Sequence, residues 1–213
     1  MTETNWKQDF FSKAEPIAMR DPLAAVLGAI ADDEPIYYEY SDCVKVAGHA
    51  CASVTTAFMM TKVALKELYG NEVPVRGEID VRYAGARDQG ANGPIGQVIQ
   101  FLTGAAIETG FHGLGGRFVR ADRFTYDDDF EGGDGITAEY TRLDTGAKVS
   151  VVANPSVIPM DEEVLGYSNY IAKVIQGIAT DDEREKFYEY WQGKNREILL
   201  ADHPGVFEVT KLS

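Results

Sequence analysis

Small and apolar residues recur at Val54, Ala57, Phe58, Thr61, Ala64, Leu65 and Leu68, the three-to-four-residue spacing of one helical face. Gly70 and Asn71 supply the stop, so the pattern predicts a helix from Ala50 to Tyr69 with Cys51 in its first turn. Strict alternation follows: Val75, Gly77, Ile79, Val81 and Tyr83 point one way and Arg76, Glu78, Asp80 and Arg82 the other, the signature of a half-buried strand. A loop over Gly85–Asn92 leads to Gly93 and Pro94, which open a second helix with Ile95, Val98, Ile99 and Leu102 on its apolar side. That helix is expected to end near Thr103-Gly104. Beyond it a glycine-dense turn, Gly110–Gly116, precedes three strand segments at about 117–126, 136–143 and 147–153, with Asp144-Thr-Gly146 as a hairpin turn between the last two.

Toward the N-terminus, Phe10, Phe11, Ala14, Leu23, Val26, Leu27 and Ile30 carry helical spacing, broken by Pro16 and Pro22. Two short helices are expected, the second opened by Asp21 before Pro22. The aromatic run Ile36–Tyr40 has strand propensity, which leaves Cys43 and His49 on or beside a loop. Asn154–Pro159 breaks the pattern ahead of C-terminal helices at about 161–177 and 181–200, the latter capped by Thr180 and Glu183. Helices segregated from a run of strands argue for an α+β fold. The expected division is a core over residues 1–155 and a C-terminal helical extension over 156–213.

Charge narrows the range of partners. The 213-residue chain has 20 Lys and Arg against 34 Asp and Glu, a net charge of −14, which repels phosphate backbones and anionic membrane surfaces. Nucleic acid and membrane are therefore not expected partners. No stretch approaches the roughly 18 apolar residues of a membrane span, and the first residues lack the basic-then-apolar pattern of a leader. The expected compartment is the cytoplasm. Two cysteines, Cys43 and Cys51, cannot form a disulfide framework, although one bridge between them is sterically conceivable; in a reducing compartment free thiols or metal ligands are the expectation.

Cys43, His49 and Cys51 place three soft-metal donors within nine residues, at a loop-to-helix junction where the helix dipole favours a thiolate. This suits a transition metal such as zinc but is incomplete, since a closed site needs four ligands and a catalytic one usually three plus an open position. The same residues also read as two small buried thiols and a hydrogen-bonded loop histidine. His112, inside the glycine-dense turn, is either a further ligand or acid/base group or an exposed turn residue. His203, before Pro204, has no expected chemistry. No phosphate-binding glycine loop and no Gly-x-Ser-x-Gly occurs, and the acidic run Asp127–Asp134 lacks the ligand spacing of a calcium loop.

The run Val44–Cys51, containing Gly48-His49-x-Cys51 and continued by a small-residue-rich helix, resembles the Gly-His-x-Cys signature of the FmdE family, whose name comes from a component of formylmethanofuran dehydrogenase. Ile95–Gly104, ending in Leu102-Thr103-Gly104, is similar to that family's second motif, and with Arg76–Ile79 and Gly110–Phe118 the resemblance spans about residues 40–155. It implies an α+β core of helices on a mixed, largely antiparallel sheet, a homodimer, and a cleft where His49 and Cys51 bind a metal ion, often zinc, beside a small-molecule ligand or substrate. On that reading Cys43, Lys45 and Thr103 flank the cofactor, and His112 or Arg117 assists any reaction there. The chain departs from the family at Ala47, where a histidine is common, at Ala52, where a proline is common, and at Ala105, where a cysteine is common. Cys43 and His112 then become compensating ligands. Two alternatives accompany the metal-binding role in redox or one-carbon metabolism: haem or metallocofactor carriage or sensing through His49 or Cys51, and a thiol redox switch between Cys43 and Cys51.

Overall fold

In the computed structural model, which describes residues 4–32 and 34–212, the alternation around Ile79 becomes strand β3 (Ile79–Ala84), with Ile79, Val81 and Tyr83 buried, while residues 75–78, expected in the same strand, form an isolated bridge at Val75 and a turn in which Gly77 is left-handed (φ 83°). It sits inside a five-stranded sheet of order β4-β3-β5-β6-β7, formed with β4 (Phe124–Asp127), β5 (Ile136–Arg142), β6 (Lys148–Ala153) and β7 (Phe207–Lys211). Within it only the β3–β4 pair is parallel, so the sheet is mixed and largely antiparallel. The register aligns Phe124, Val81, Tyr140 and Val149 across neighbouring strands, and all four are buried. Such a row of cross-strand partners fixes register, because a one-residue slip would turn every member to the opposite face.

Every position of the predicted apolar stripe is buried on the helix α3 (Ala52–Tyr69), which packs against β6 and β7 and, most extensively among the helices, against two others. One is α4 (Asn92–Thr103), the crossover between the parallel strands β3 and β4. The other is α7 (Asp181–Leu200), whose first turn carries the expected reciprocal cap: Thr180 Oγ1 accepts from Glu183 N at 3.2 Å and Glu183 Oε2 accepts from Thr180 N at 2.9 Å. Together these give an α+β architecture with C-terminal helices. Among the described residues no helix is long and apolar enough to cross a membrane.

Several further segments differ from the sequence pattern. Between Pro16 and Pro22 there is no room for a helix, and residues 17–19 instead form β1 (Ile17–Met19), antiparallel to β2 (Ile36–Tyr38). The helical content of this region is one 3-10 turn, Phe11–Lys13, and the short α1 (Pro22–Val26). The aromatic run continues from β2 into α2 (Tyr40–Ala47), because Tyr40, Cys43 and Val44 share a helical face that is buried, and Asp42 accepts the N–H of Glu39 at 3.0 Å. The strand expected from residue 117 begins only at Phe124, since Phe118 (φ 61°) and Asp122 (φ 59°) are left-handed. Finally, the 161–177 helix is split into α5 (Glu162–Gly166), a 3-10 turn and α6 (Ile171–Ile175), and the C-terminal segment is not wholly helical: it returns as β7 to complete the sheet.

Candidate functional site

The junction between α2 and α3 is built from its ends inward. Gly48 terminates α2 in the left-handed conformation (φ 76°), its N–H bonded to Val44 O at 2.8 Å, a geometry that a side chain would strain. Three residues later Cys51 is the N-cap of the 18-residue α3, with extended backbone and a thiol that makes no capping hydrogen bond. Its carbonyl is held twice by one residue, accepting from Thr55 N and Thr55 Oγ1, each at 3.0 Å. Thr55 thereby spends its only hydroxyl proton, so Tyr40, whose OH lies 2.7 Å away, is the donor to it. Trp191 of α7 donates Nε1–H to the neighbouring Ala50 O at 2.9 Å. The loop carrying His49 and Cys51 is thus pinned by α2, α3 and the C-terminal helix.

His49 is exposed and Cys51 half-buried. The His49 ring places Nδ1 2.9 Å from Ala47 O; a carbonyl only accepts, so Nδ1 carries the proton and Nε2 of the neutral ring keeps its lone pair. Cys43 differs from both. It is fully buried in α2, and burial, with the nearby Asp42 charge, pushes its thiol up to about 12. At neutral pH it stays protonated in the core, which makes it a poor nucleophile and a poor thiolate donor.

The remaining sequence-derived site residues are dispersed. Lys45 is exposed on α2 and paired with Asp42 at 2.9 Å. Thr103 is buried at the end of α4, where its hydroxyl donates to Ile99 O at 2.7 Å and accepts from Ala105 N at 3.2 Å; it terminates the helix and has no donor left for a ligand. His112 is exposed in the glycine-dense turn. Among the described residues no three His, Cys, Asp or Glu side chains form a group able to hold a metal ion, so neither Cys43 nor His112 completes a three-ligand set with His49 and Cys51 within one chain.

Arg117 belongs to an assembly that sequence patterns did not reveal. It lines a cavity of about 200 Å³ with Arg76, Arg120 and Arg123, closed by Pro22, Gly77, Glu78, Phe118 and Val119. Behind the cavity Asp21 joins two of these arginines, accepting from Arg76 Nη1 at 3.0 Å and from Arg120 Nη2 at 2.7 Å. Burial opposes the charge on Asp21, yet Arg120 and Arg76, with the Ala24 N–H, outweigh it and hold the carboxyl below its ordinary range. Asp21 also caps α1 through Leu23 N and Ala24 N at 3.1 and 3.2 Å, the only role its sequence context revealed. One signal for the rest was present: Arg117, Arg120 and Arg123 recur at intervals of three in a chain of net charge −14.

Neither a protein-family profile nor a curated protein matches the chain.

Proposed function

We propose that this is a metal-binding FmdE-like protein acting in or beside redox or one-carbon metabolism, with His49 and Cys51 as two ligands to a zinc-like ion. The observation that carries the reading is the His49 ring: its Nδ1–H is engaged by Ala47 O at 2.9 Å, the backbone-carbonyl partnership that orients a metal-ligating imidazole and leaves Nε2 to the ion. The half-buried Cys51 thiol stands two residues away at the N-cap of a long helix, beside the positive end of the helix dipole. An imidazole and a thiolate suit zinc in donor type. They fill two positions of a tetrahedral ion, and the others fall to solvent, to the small ligand, or to a second copy of the chain. A bound ion would polarise a small polar substrate as a Lewis acid; this chain's own contribution is to hold the two donors on a junction fixed by Gly48, Thr55 and Trp191.

Elemental analysis of the protein purified with zinc tests this. The expected result is a fixed zinc content per chain that is lost in both His49→Ala and Cys51→Ala while each variant retains its far-ultraviolet circular dichroism. Zinc content unchanged in folded variants would overturn the assignment. A Cys43→Ala variant is expected to retain zinc, since its thiol lies in the core.

A further inference from the structure

The arginine cavity carries an inference of its own. Arg76 and Arg120 share the single carboxylate of Asp21 in a setting where the Arg120 side chain is 9% exposed and the Arg76 side chain 22%, so the buried cluster is cationic. Its donors are not exhausted. Arg120 Nη1 is buried with no hydrogen-bond partner; it lies against the backbone of Gly77, on the cavity wall, and of Gly104, where added Cβ atoms would stand 1.7 and 2.4 Å from it.

The open side adds two more guanidinium groups. Arg123 donates Nε–H to Val119 O at 2.7 Å and Nη1–H to Asp80 at 3.0 Å, which leaves its Nη2 free of partners among the described residues. The Arg117 side chain makes no ion pair among the described residues; its only interaction there is with the Phe118 ring, 5.0 Å from the ring centroid. Four guanidinium groups therefore meet three carboxylates, those of Asp21, Asp80 and Glu78. That leaves a positive excess in an otherwise acidic molecule. The loop that gathers them is strained, since Phe118 and Asp122 are the non-glycine residues with positive φ among those described, and such strain collects where a site is being shaped.

We propose that this cavity is a binding site for a small oxyanion, a carboxylate or phosphate group, contacted by Arg117 and Arg123 and held over the cationic floor of Arg76 and Arg120. Guanidinium forks match planar or tetrahedral oxyanions with paired, charge-assisted hydrogen bonds. The volume of about 200 Å³ corresponds to roughly six or seven waters at about 30 Å³ each, room for one such group with a few waters beside it. The site is independent of the metal junction and stands or falls separately from it.

Isothermal titration of the full chain with inorganic phosphate and, separately, acetate, each against chloride at the same ionic strength, tests it. Saturable binding of at least one anion is expected, and the ratio of the two affinities identifies the preferred oxyanion. Arg117→Ala, at an exposed position, is expected to weaken that binding about tenfold or more, the effect of a lost charged hydrogen bond. Arg87→Ala removes the same charge from outside the cavity, where Arg87 faces Glu108, and is expected to leave the affinity unchanged. No saturable binding of either anion, or equal weakening in the two variants, would overturn the proposal.

Discussion

Asp21→Ala is expected to destabilise the protein by about 3–5 kcal/mol, the range for removing one partner of a buried charge cluster. The substitution deletes hydrogen bonds to Arg76 at 3.0 Å and Arg120 at 2.7 Å, leaving two neighbouring cations with no carboxylate bonded to either among the described residues. It also uncaps α1, whose Leu23 and Ala24 amides lose their acceptor. For a chain of this size the loss corresponds to a fall of roughly 10 °C in Tm, with the urea midpoint lowered at an unchanged slope. A loss below about 1 kcal/mol, the worth of an exposed pair, would show that the cluster is solvated and not structural.

The pH dependence follows from the same contacts. Because the folded Asp21 carboxyl titrates below its ordinary value of 3.8, its contribution is fully present above that value. It is lost as the pH falls through the lower, folded value. Wild-type protein should therefore lose stability on acidification below about pH 4, and Asp21→Asn should show a shallower acid limb from a lower starting stability. Urea midpoints of both proteins across that range check the sign.

Gly77→Ala is the second large effect. The Gly77 backbone is left-handed (φ 83°), and a Cβ there would lie 1.7 Å from Arg120 Nη1 and 2.2 Å from its Cζ. The methyl group and the guanidinium cannot both occupy that space. Arg120 must leave Asp21, and the alanine must also bear the left-handed conformation at a cost of about 1–2 kcal/mol. The combined loss is expected to be about 3 kcal/mol or more, although the substitution adds only a methyl group. Gly48→Ala provides the contrast: it also has positive φ (76°), but nothing lies within 4 Å of the added Cβ, so only the conformational penalty applies. Equal effects at the two positions, measured by chemical denaturation, would contradict the steric explanation.

What could be read from the sequence, and what could not, divides along the range of the interactions. The stripe on α3, the alternation at Ile79, Val81 and Tyr83, and the cap at Thr180 and Glu183 are local patterns, and each appears where the spacing placed it. Helix α2 was hidden because Tyr40 carries strand propensity while Tyr40, Cys43 and Val44 together mark a helical face. Strand β7 is an edge strand with mostly exposed side chains, so no buried alternation announced it. The same division holds for the two sites. His49 and Cys51 are two residues apart, so their pairing at a helix start is visible in the chain itself. Asp21, Arg76 and Arg120 come from three separate segments and meet only through tertiary packing. Cys43 shows the opposite failure: its closeness in sequence to His49 suggested a ligand, and its position on the buried face of α2 keeps the thiol protonated.

The assignment of His49 and Cys51 as metal ligands is tested most directly by X-ray absorption at the zinc edge of the loaded protein. Ligation by both residues requires sulfur at about 2.3 Å and imidazole nitrogen at about 2.0–2.1 Å in a one-to-one ratio, with the sulfur shell absent from Cys51→Ala. A shell made only of oxygen and nitrogen in the wild type, or a sulfur shell that survives in Cys51→Ala, would contradict it.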